Sequence, residues 1–600
     1  MANVSAQNGT NGLPAAGVKS EGLWSQLMTM RRIYTRSPVF RTLLLISAGS
    51  FLVVVATALG QIVLNRWNQP FYDAIERRNV DAFFYQLKIF AAIAGGMLVF
   101  NILQQWLNQR FRLKLREGLT RDLICEWMRP RRAFRLANAG AIGVNPDQRM
   151  QEDAGHLADL TTDLAFGLLQ SSILLVSFVG VLWSLSEGFM FEIGGRTIDI
   201  PGYMVWAAII YAGSASLLSW RVGRPLIELN GERYNREAAL RFTMMRVNEH
   251  IDSIALAGGE TGERQKLDND LGSVLTALRN IFRAQINLAW VVDGYGWVTV
   301  VAPILVAAPV YFSGHISFGG LMMAVGAFNQ VHSSLRWFVA NIGAITDWRA
   351  TLHRITSFRS ALIATDALND AEGHIEFVLN DSNRLTLDRL DVASPSGRTH
   401  FDEPHIEIGA GERVVITGEP RTGKTLLFRA LAGLWPLGSG RVGLPKGEAI
   451  TFLPRTPYMP PGRLRDVLSY PQTDTFTDTQ LIEALARVGL QRMAPLLDTE
   501  ARWDRELSDD DERLLAFARA LLHKPHWLVL DEVLETMDPT TLRRVLSILE
   551  TELQGSTVVS LGRVLPDKAL FTREIRLVRE AKPQSRQPAR PDRSLEGAQA

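Results

Sequence analysis

A glycine-rich loop between an apolar run and a helix-forming run gives the sequence its strongest chemical signal. Residues 413–417 predict a buried strand, and residues 426–432 predict a helix. Between them the sequence follows the phosphate-binding pattern GxxxxGK[ST], in the strand–loop–helix context that this pattern requires. The candidate phosphate-binding residues are Gly418, Glu419, Pro420, Arg421, Thr422, Gly423, Lys424, Thr425 and Leu426.

Each part of this phosphate loop has a role in holding a polyphosphate. Glycines let backbone N–H groups approach phosphate oxygens, and the N-terminus of the next helix adds partial positive charge. We expect Lys424 to reach the β- and γ-phosphates and Thr425 to offer its hydroxyl to Mg²⁺. The loop therefore predicts a nucleotide site that takes ATP with Mg²⁺.

Two adjacent carboxylates end a second apolar run further along the chain. Residues 526–530 predict a strand, and Asp531 and Glu532 follow it directly. Asp531 is expected to hold Mg²⁺ together with Thr425, and Glu532 to polarise the attacking water. A strand that ends in two acids is a weak signal alone, but it complements the phosphate loop. We therefore predict that Glu532 is a catalytic residue.

The composition excludes several other classes of protein. Lys and Arg number 64 against 62 Asp and Glu, and the net charge of +2 argues against a nucleic-acid partner. A single cysteine, Cys125, excludes an intramolecular disulfide framework and a Cys-rich metal site. Short apolar runs alternate with Gly-rich turns around the phosphate loop, as in an α/β domain. The remaining apolar residues are concentrated earlier in the chain.

Several of these earlier runs are long enough to cross a bilayer, which takes about 20 apolar residues. Four runs contain no Asp, Glu, Lys or Arg, namely 42–64, 89–107, 164–185 and 200–220. A fifth, 287–314, contains Asp293, and a weaker sixth, 316–335, contains Asn329, Gln330 and His332. We therefore predict six transmembrane helices in a lipid membrane.

Charge between the runs predicts their orientation. Residues 110–135 hold nine basic and three acidic side chains, and cytoplasmic loops retain the basic ones. Six spans then place both termini in the cytoplasm of a bacterium, with the spans in its inner membrane. The long loops 108–163 and 221–286 carry charges at helical spacing, which predicts helices that continue beyond the membrane.

The predicted fold is thus a membrane α-helical domain of six transmembrane helices with long cytoplasmic extensions, followed by an α/β P-loop nucleotide-binding domain. The expected boundaries are a disordered tail at 1–25, a membrane domain at 26–355, a linker at 356–370, a nucleotide-binding domain at 371–580 and a disordered tail at 581–600.

Asp293 is a candidate transport site, because burying an ionisable group inside an apolar span costs free energy. The alternative is an irregular segment at Gly294 and Gly296 that leaves Asp293 in contact with water.

Six spans followed by this nucleotide domain resemble an ABC half-transporter. Further motifs are similar to the branch that contains the SbmA/BacA peptide importers and the peroxisomal fatty-acid half-transporters. They include Asn65-Arg-Trp67, Phe71-Tyr72-Asp73-Ala74, Asn145-Pro-Asp-Gln-Arg149 and Gly433-Leu-Trp-Pro436, within a similarity over about residues 30–580. The resemblance implies that two chains form one pore and enclose two nucleotides. We expect a homodimer, with a heterodimer as the alternative.

The resemblance also reveals departures at the hydrolytic motifs. Arg455 stands where the family has a glutamine, and Arg563 stands where it has the switch histidine. In the signature motif Ser508 is kept, but Asp510 replaces a glycine that should face the γ-phosphate. Like charges repel at close range, so carboxylates beside a triphosphate are unfavourable. ATP binding is therefore expected, whereas the rate of hydrolysis is in doubt.

Two classes of function agree with these features. The first is an ATP-coupled transporter that moves a peptide-like or other bulky hydrophilic substrate across the inner membrane. The alternative is a proton-driven importer similar to SbmA/BacA, in which the nucleotide domain is vestigial or regulatory. A variant of the first makes this chain the degenerate subunit of a heterodimer.

Overall fold

The computed structural model describes residues 22–137, 145–187, 190–193, 196–367, 374–394, 397–447, 450–472, 475–563 and 570–581. Within these residues the chain divides into two compact units. The membrane unit contains the described residues up to Ala361, apart from a short helix at Arg132–Ala137. The nucleotide unit contains that helix and the described residues from Leu362 onward. The predicted tails fall mostly outside the described residues.

Helices account for nearly all of the membrane unit. They are α1 (Leu23–Arg36), α2 (Phe40–Glu76), α3 (Val80–Trp127), α5 (Pro146–Gln148), α6 (Ala154–Ser186), α7 (Tyr203–Gly223), α8 (Pro225–Glu249), α9 (Ile251–Ala257), α10 (Glu260–Phe312), α11 (Phe318–Ala340) and α12 (Ile342–Ala367), with α4 (Arg132–Ala137) in the other unit. A hairpin of β1 (Met190–Ile193) and β2 (Arg196–Asp199) precedes α7. Two predicted boundaries shift: α1 begins inside the predicted N-terminal tail, and α12 covers most of the predicted linker.

Five helical segments in the described part of the chain are long and apolar enough to cross a membrane. They are Phe40–Glu76, Val80–Trp127, Pro146–Ser186, Tyr203–Glu249 and Glu260–Phe312. At a rise of 1.5 Å per residue, the 53 residues of α10 extend about 80 Å, whereas the apolar core of a bilayer is about 30 Å thick. The predicted helical extensions beyond the membrane are therefore confirmed.

The sixth predicted span is the helix α11, which falls outside this set of five. Its polar residues lower its mean hydropathy, but two of them, His332 and Ser334, are buried in the helical bundle. Ala327, Phe328 and Val331 of the same helix are also buried, in a cluster shared with α6, α7 and α10. A helix enclosed by other helices can carry more polar residues than one that faces lipid.

Two polar side chains of α2 fasten it to α11. Asn65 donates a hydrogen bond to the carbonyl of Met323 (3.3 Å). Asp73 accepts from the backbone N–H of Gly319 (2.7 Å) and from the hydroxyl of Ser317 (3.0 Å), so that it satisfies the N-terminus of α11. These contacts give a structural reason for two of the motifs found in the sequence.

The nucleotide unit is an α/β domain built on a ten-stranded sheet. Its elements are β3 (Glu376–Asn380), β4 (Arg384–Ser394), β5 (Gly397–Phe401), β6 (His405–Gly409), β7 (Arg413–Gly418), α13 (Lys424–Leu431), β8 (Gly438–Pro445), β9 (Ile450–Leu453), β10 (Gly462–Arg463), α14 (Leu464–Ser469), α15 (Asp478–Val488), β11 (Glu500–Ala501), α16 (Trp503–Glu506), α17 (Asp509–His523), β12 (Trp527–Asp531), α18 (Pro539–Thr551), β13 (Thr557–Gly562) and β14 (Arg573–Ala581). The strand order is β3-β8-β4-β5-β14-β7-β13-β12-β9, and β6 pairs with β4.

The parallel strands β7, β13 and β12 position the phosphate loop and the two adjacent carboxylates. Their interior residues are almost fully buried, as expected for strands covered on both faces. In register, Thr417 pairs with Gly562, and Leu561 pairs with Asp531. The phosphate loop, the exit of β13 and the acidic end of β12 therefore meet at one carboxyl edge of the sheet, where ligands of open α/β sheets usually bind.

Candidate functional site

The phosphate loop connects β7 directly to α13. Gly423 has φ +96°, a left-handed conformation that favours glycine, and it precedes the first helical residue, Lys424. A Cβ at Gly418 would come within 2.7 Å of the Thr422 hydroxyl oxygen and 3.1 Å of the Leu577 carbonyl. Both glycines are thus required by the local backbone, as the sequence pattern predicts.

The other residues of the loop shape its backbone. The hydroxyl of Thr422 donates to the carbonyl of Glu419 (2.7 Å), across the exposed Pro420. Arg421 adopts a left-handed backbone (φ +70°), and its carbonyl accepts a hydrogen bond from Arg579 (2.7 Å). Leu426 packs against the core beneath the sheet. These contacts hold the loop in a defined turn at the start of the helix.

The charged groups predicted at the site lie together. The Lys424 ammonium is 8% exposed, donates to the carbonyl of Gly418 (3.2 Å) and lies 3.4 Å from a carboxylate oxygen of Glu532. The Thr425 hydroxyl donates to Asp531 (3.4 Å). Burial raises the pKa of Asp531 and the neighbouring Glu532 raises it further, against the hydrogen bond from Thr425. A cation brought to this edge would therefore favour the ionised form of Asp531.

The donor set fits a Mg²⁺–polyphosphate. A hydroxyl and a carboxylate are oxygen ligands of the kind that Mg²⁺ prefers, and both lie beside the N-terminus of α13. The charges of Arg429 and Lys424 both act on Asp531, and the Lys424 side chain lies at the start of the same helix. Among the described residues there is no cluster of three or more His, Cys, Asp or Glu side chains suited to a metal ion. A metal at this edge would accordingly take much of its coordination from the nucleotide.

The acidic signature motif has its charge partners within the same chain. Ser508 caps the N-terminus of α17 by accepting from the N–H of Asp511 (3.2 Å). Asp510 forms an ion pair with Arg513 (2.8 Å), and Asp511 pairs with Arg492 (2.5 Å). Acidic residues in a first turn also interact favourably with the helix dipole. Asp510 and its neighbour Asp511 therefore have a local structural role.

Arg513 also links the signature helix to Arg455. Its Nε donates to the backbone carbonyl of Arg455 (3.3 Å), while the side chain of Arg455 is exposed. Further along α17, Arg519 donates to the carbonyls of Val467 (2.6 Å) and Tyr458 (2.8 Å). Burial lowers the pKa of Arg519 to about 10. Two arginines thus fix the segment that follows β9 against α17.

The exit of β13 is held by a glutamate. The backbone N–H of Arg563 donates to the carboxylate of Glu535, while the Arg563 side chain is exposed. Glu535 lies in the 3₁₀ turn Leu534–Thr536 that follows the Asp531–Glu532 pair. Burial raises the pKa of Glu535, Glu532 raises it further, and Lys424 and Arg563 oppose the rise. Glu535 therefore belongs to the same group of charges as the predicted catalytic residues.

Two residues of this site, Arg513 and Glu535, were missed by the sequence analysis. Arg513 occupies the i+3 position after Asp510 on a helix, a spacing that predicts an ion pair. Glu535 lies three residues beyond Glu532, but its hydrogen-bond partner, the backbone N–H of Arg563, is 28 residues away in the chain. The spacing of nearby residues therefore could not have predicted this contact.

The membrane unit contains a large cavity. Its volume is about 1600 Å³, and it is lined by residues of α6, α7, α8, α10, α11 and α12. Asp153 lies in its wall and accepts from Arg149 (2.5 Å) and, through both carboxylate oxygens, from Arg354 (3.2 and 3.0 Å). His156 and Asp347, 2.6 Å apart, form a second polar pair in the wall. The lining is therefore rich in polar and charged groups.

Asp293 lies outside this lining, although its neighbours Val292 and Tyr295 contribute to it. The helix α10 continues unbroken through Gly294 and Gly296, so the prediction of an irregular segment is wrong. Asp293 is exposed in the single chain, on a helix face it shares with Trp290 (78% exposed) and Trp297 (80% exposed). Among the described residues the candidate transport site is thus on an outer, largely apolar surface of the membrane unit.

The family comparisons cover both units. Residues 30–312 match the family model described as ABC transporter transmembrane region 2, and residues 401–535 match the family model described as ABC transporter. An uncharacterized ABC transporter ATP-binding protein of Haemophilus influenzae is 30% identical over 530 residues, which cover 88% of each chain.

Other relatives are similar over most of their length. The inner membrane ABC transporter ATP-binding protein YddA of Escherichia coli is 26% identical, with 85% of this chain and 90% of the relative covered. ABC transporter D family member 2, chloroplastic, of Arabidopsis thaliana is 25% identical, with 86% and 80% covered. Among solved structures, a bacterial Atm1-family ABC exporter with ATP bound gives a TM-score of 0.64 at 15% identity, with 90% of this chain and 94% of that chain covered. That likeness shows an exporter-like fold.

Proposed function

Because the chain belongs to the ABC transporter family, we propose that it binds ATP with Mg²⁺ at Lys424 and uses it to move a bulky hydrophilic substrate across a bacterial inner membrane. The chain is an ABC half-transporter with fused transmembrane and ATP-binding domains, and it is related to subfamily D. One observation carries the proposal: Lys424, Thr425, Asp531 and Glu532 meet at the carboxyl edge of one sheet, in a chain with membrane-length helices.

The residues of the phosphate loop would divide the work of binding. Backbone N–H groups between Gly418 and Leu426 and the ammonium of Lys424 would hold the phosphates. Thr425 and Asp531 would hold Mg²⁺, which neutralises charge on the phosphate oxygens. Once phosphates replace Glu532 as the partner of Lys424, Glu532 would act as the general base for the attacking water. Its 3.4 Å approach to Lys424 supports this exchange.

The cavity of the membrane unit supports a hydrophilic cargo. A volume of about 1600 Å³ exceeds that of a typical drug-sized ligand site, which is roughly 300–1,000 Å³. Its paired arginines and carboxylates provide hydrogen-bonding groups for a polar molecule such as a peptide. We propose that this cavity forms part of the transport pathway.

Six crossings with both termini in the cytoplasm complete the proposal. With five crossings the nucleotide unit would lie on the opposite side of the membrane from the N-terminus. The helix α11, with 23 residues, extends about 34 Å, so it is long enough to be the sixth crossing. The relative from Escherichia coli, whose name places it in the inner membrane, supports the location. By similarity to half-transporters, two copies are expected to form the active assembly.

The proton-driven alternative, similar to SbmA/BacA, rests on Asp293. An exposed carboxylate within an apolar span needs a polar partner, which a second copy or a water-filled pore would supply. Under this alternative, Asp293→Asn abolishes the pH dependence of uptake in a folded, inserted protein. Uptake in that variant with unchanged pH dependence would remove Asp293 from the transport cycle.

Purified full-length chain in proteoliposomes tests the two functions against each other. Under the proposal, uptake of a labelled peptide requires MgATP and is lost in Glu532→Gln. Under the alternative, an imposed proton gradient drives uptake without nucleotide, and Glu532→Gln transports normally. A chain that shows neither activity alone but gains ATP-dependent uptake with a second half-transporter would identify it as the degenerate subunit of a heterodimer.

A further inference from the structure

The lining of the cavity in the membrane unit contains arginines that no carboxylate of the described chain neutralises. Five arginines and four acidic residues line this cavity. Two of the arginines are occupied, because Arg149 and Arg354 both donate to Asp153. The other three make no ion pair with a described residue, and they are Arg224, Arg241 and Arg336. Their guanidinium groups are available to a molecule in the cavity.

Most of the acidic residues in the lining, by contrast, already have a partner. Besides Asp153, which two arginines hold, Asp347 lies 2.6 Å from the imidazole of His156. Glu237 lies 3.5 Å from Arg233 of the same helix. Glu152 is the one acidic lining residue with no ion pair to a described residue. The unpaired charges of the lining are therefore mainly positive, three guanidinium groups against one carboxylate.

Arg336 lies near the end of α11, one turn after His332, whose buried ring lines the same cavity. Since α11 is the proposed sixth crossing, this guanidinium is close to an apolar span. Ionisable groups in such places face a water-filled cavity and usually have a partner that marks the path of a substrate. The side chain of Arg336 is exposed and has no such partner among the described residues. An anionic ligand would supply it.

Arg224 lies at the junction of α7 and α8. Its guanidinium is 5.9 Å from the centre of the Trp220 ring, and both residues line the cavity. A guanidinium can rest on an aromatic ring while the N–H groups at its edge stay available for hydrogen bonds. Those of Arg224 form none with a described residue. The planar fork of an arginine matches a carboxylate or a phosphate.

We infer that the cavity binds its substrate through an anionic group, a carboxylate or a phosphate, with Arg224 and Arg336 as the cationic partners of that group. The inference rests on the proposed transport of a hydrophilic substrate through this cavity, and it adds the charge of that substrate. The lining already binds one carboxylate in this way, since Arg354 donates to both oxygens of Asp153. A strongly cationic peptide would instead meet unpaired like charges, which repel it.

Equilibrium binding of labelled peptides to the full-length chain in detergent, without nucleotide, tests this inference. The peptides have one length and carry glutamates, phosphoserines, lysines or only neutral polar residues. We expect the glutamate and phosphoserine peptides to bind at least tenfold more tightly than the lysine peptide. The tighter of the two anionic peptides identifies the preferred group, and either order supports the inference.

Two substitutions connect this preference to the arginines. Arg224→Gln and Arg336→Gln keep a hydrogen-bond donor but lose the charge. Each should weaken binding of the anionic peptides roughly tenfold, the loss of one charge-assisted contact, and leave the neutral peptide unchanged. Arg349→Gln is the matched control, because Arg349 is an exposed arginine of α12 outside the lining, and it should change no affinity. Thermal unfolding shows which variants are folded, and affinities are compared among those.

The contrary results separate the inference from the proposed function. Equal or tighter binding of the lysine peptide would overturn the inference alone, as would anionic-peptide affinity that is unchanged in both folded arginine variants. The same holds if the Arg349 control loses as much affinity as they do. A wild-type chain that binds none of the peptides, and takes none of them up in proteoliposomes with MgATP, would overturn the proposed function as well.

Discussion

At the scale of single residues, Lys424 has partners before any nucleotide arrives. Its ammonium is almost fully buried between the carbonyl of Gly418 and the carboxylate of Glu532. A buried ammonium without such partners would be costly, so these contacts stabilise the loop. Under the proposed function, phosphate would replace Glu532 as the anionic partner of Lys424.

Lys424→Ala should therefore weaken MgATP binding tenfold or more. A charge-assisted contact contributes about 1.5–3 kcal/mol, and each ~1.4 kcal/mol is a factor of ten in affinity. Lys446→Ala is the matched control, because Lys446 is an exposed lysine that pairs with Asp381 away from the loop. Calorimetric titration of both variants measures the effect. Equal ATP affinity in the Lys424 variant and the control would refute the assignment of the phosphate loop.

Asp510, which is expected to slow hydrolysis, has a structural role at the start of α17. Its ion pair with Arg513 lies in the first turn of α17, where a negative charge is favourable. Arg513 itself is 9% exposed in its side chain and also holds the carbonyl of Arg455. Loss of Asp510 thus leaves a nearly buried guanidinium with one partner fewer.

Asp510→Gly should accordingly lower the free energy of unfolding of the nucleotide unit by about 1–2 kcal/mol, since a helical glycine and the loss of a capping charge each cost up to ~1 kcal/mol. Asp509→Gly is the comparison, because it carries the same glycine cost at a side chain that is 91% exposed and approaches Arg513 only to 3.9 Å, against 2.8 Å for Asp510. Thermal unfolding should show the larger loss for Asp510→Gly. Equal losses would mean that the closer pair of Asp510 with Arg513 contributes no more to stability than the longer contact of Asp509.

At the scale of elements, short-range sequence patterns correctly predicted the strands, turns and helices that depend mainly on neighbouring residues. The strand, loop and helix around Gly418 to Thr425 follow from turn chemistry and apolar runs, and they agree with the structure. Likewise, the long helices α3 and α10 follow from helical spacing of charge. The contact between Glu535 and Arg563 joins two residues that are 28 positions apart in the chain, beyond the ends of neighbouring strands, and no short-range pattern encodes it. The alternative of an irregular segment at Gly294 and Gly296 is wrong, because the long helix α10 tolerates both glycines in its interior.

The helix α11 is the element on which the membrane topology depends. Its buried His332 and Ser334 lower its hydropathy, and residues of α6, α7 and α10 pack against it. The proposed topology counts it as the sixth crossing. Reporter fusions in the segment after Glu187 and directly after Trp348 should report opposite sides of the membrane. A fusion after Arg129, in the basic loop, should report the same side as that after Trp348. If the fusions after Glu187 and Trp348 both report the cytoplasm, the six-span topology is wrong.

At the scale of the whole molecule, the proposed function assigns a different task to each unit. The nucleotide unit retains the residues for binding ATP, and the membrane unit holds a polar cavity of about 1600 Å³. Hydrolysis needs groups that stabilise charge on the γ-phosphate and orient water, and the resemblance implies that Arg455, Asp510 and Arg563 replace such groups. We therefore expect these replacements to affect the rate of hydrolysis more than the binding of ATP.

The native chain should consequently hydrolyse ATP slowly, and the triple reversion Arg455→Gln, Asp510→Gly, Arg563→His should raise the rate. Removal of one preorganised stabiliser typically costs about 10²–10³ in rate, and effects within one catalytic unit do not add. Each single reversion should therefore gain little, and the triple variant much more. Phosphate release from the purified chain measures the rates, with Glu532→Gln in each background as the control for contaminating ATPase. Brisk turnover of the native chain that Glu532→Gln abolishes would mean that Arg455, Asp510 and Arg563 do not impair hydrolysis, and that an ATP-driven transporter operates with this altered set of residues.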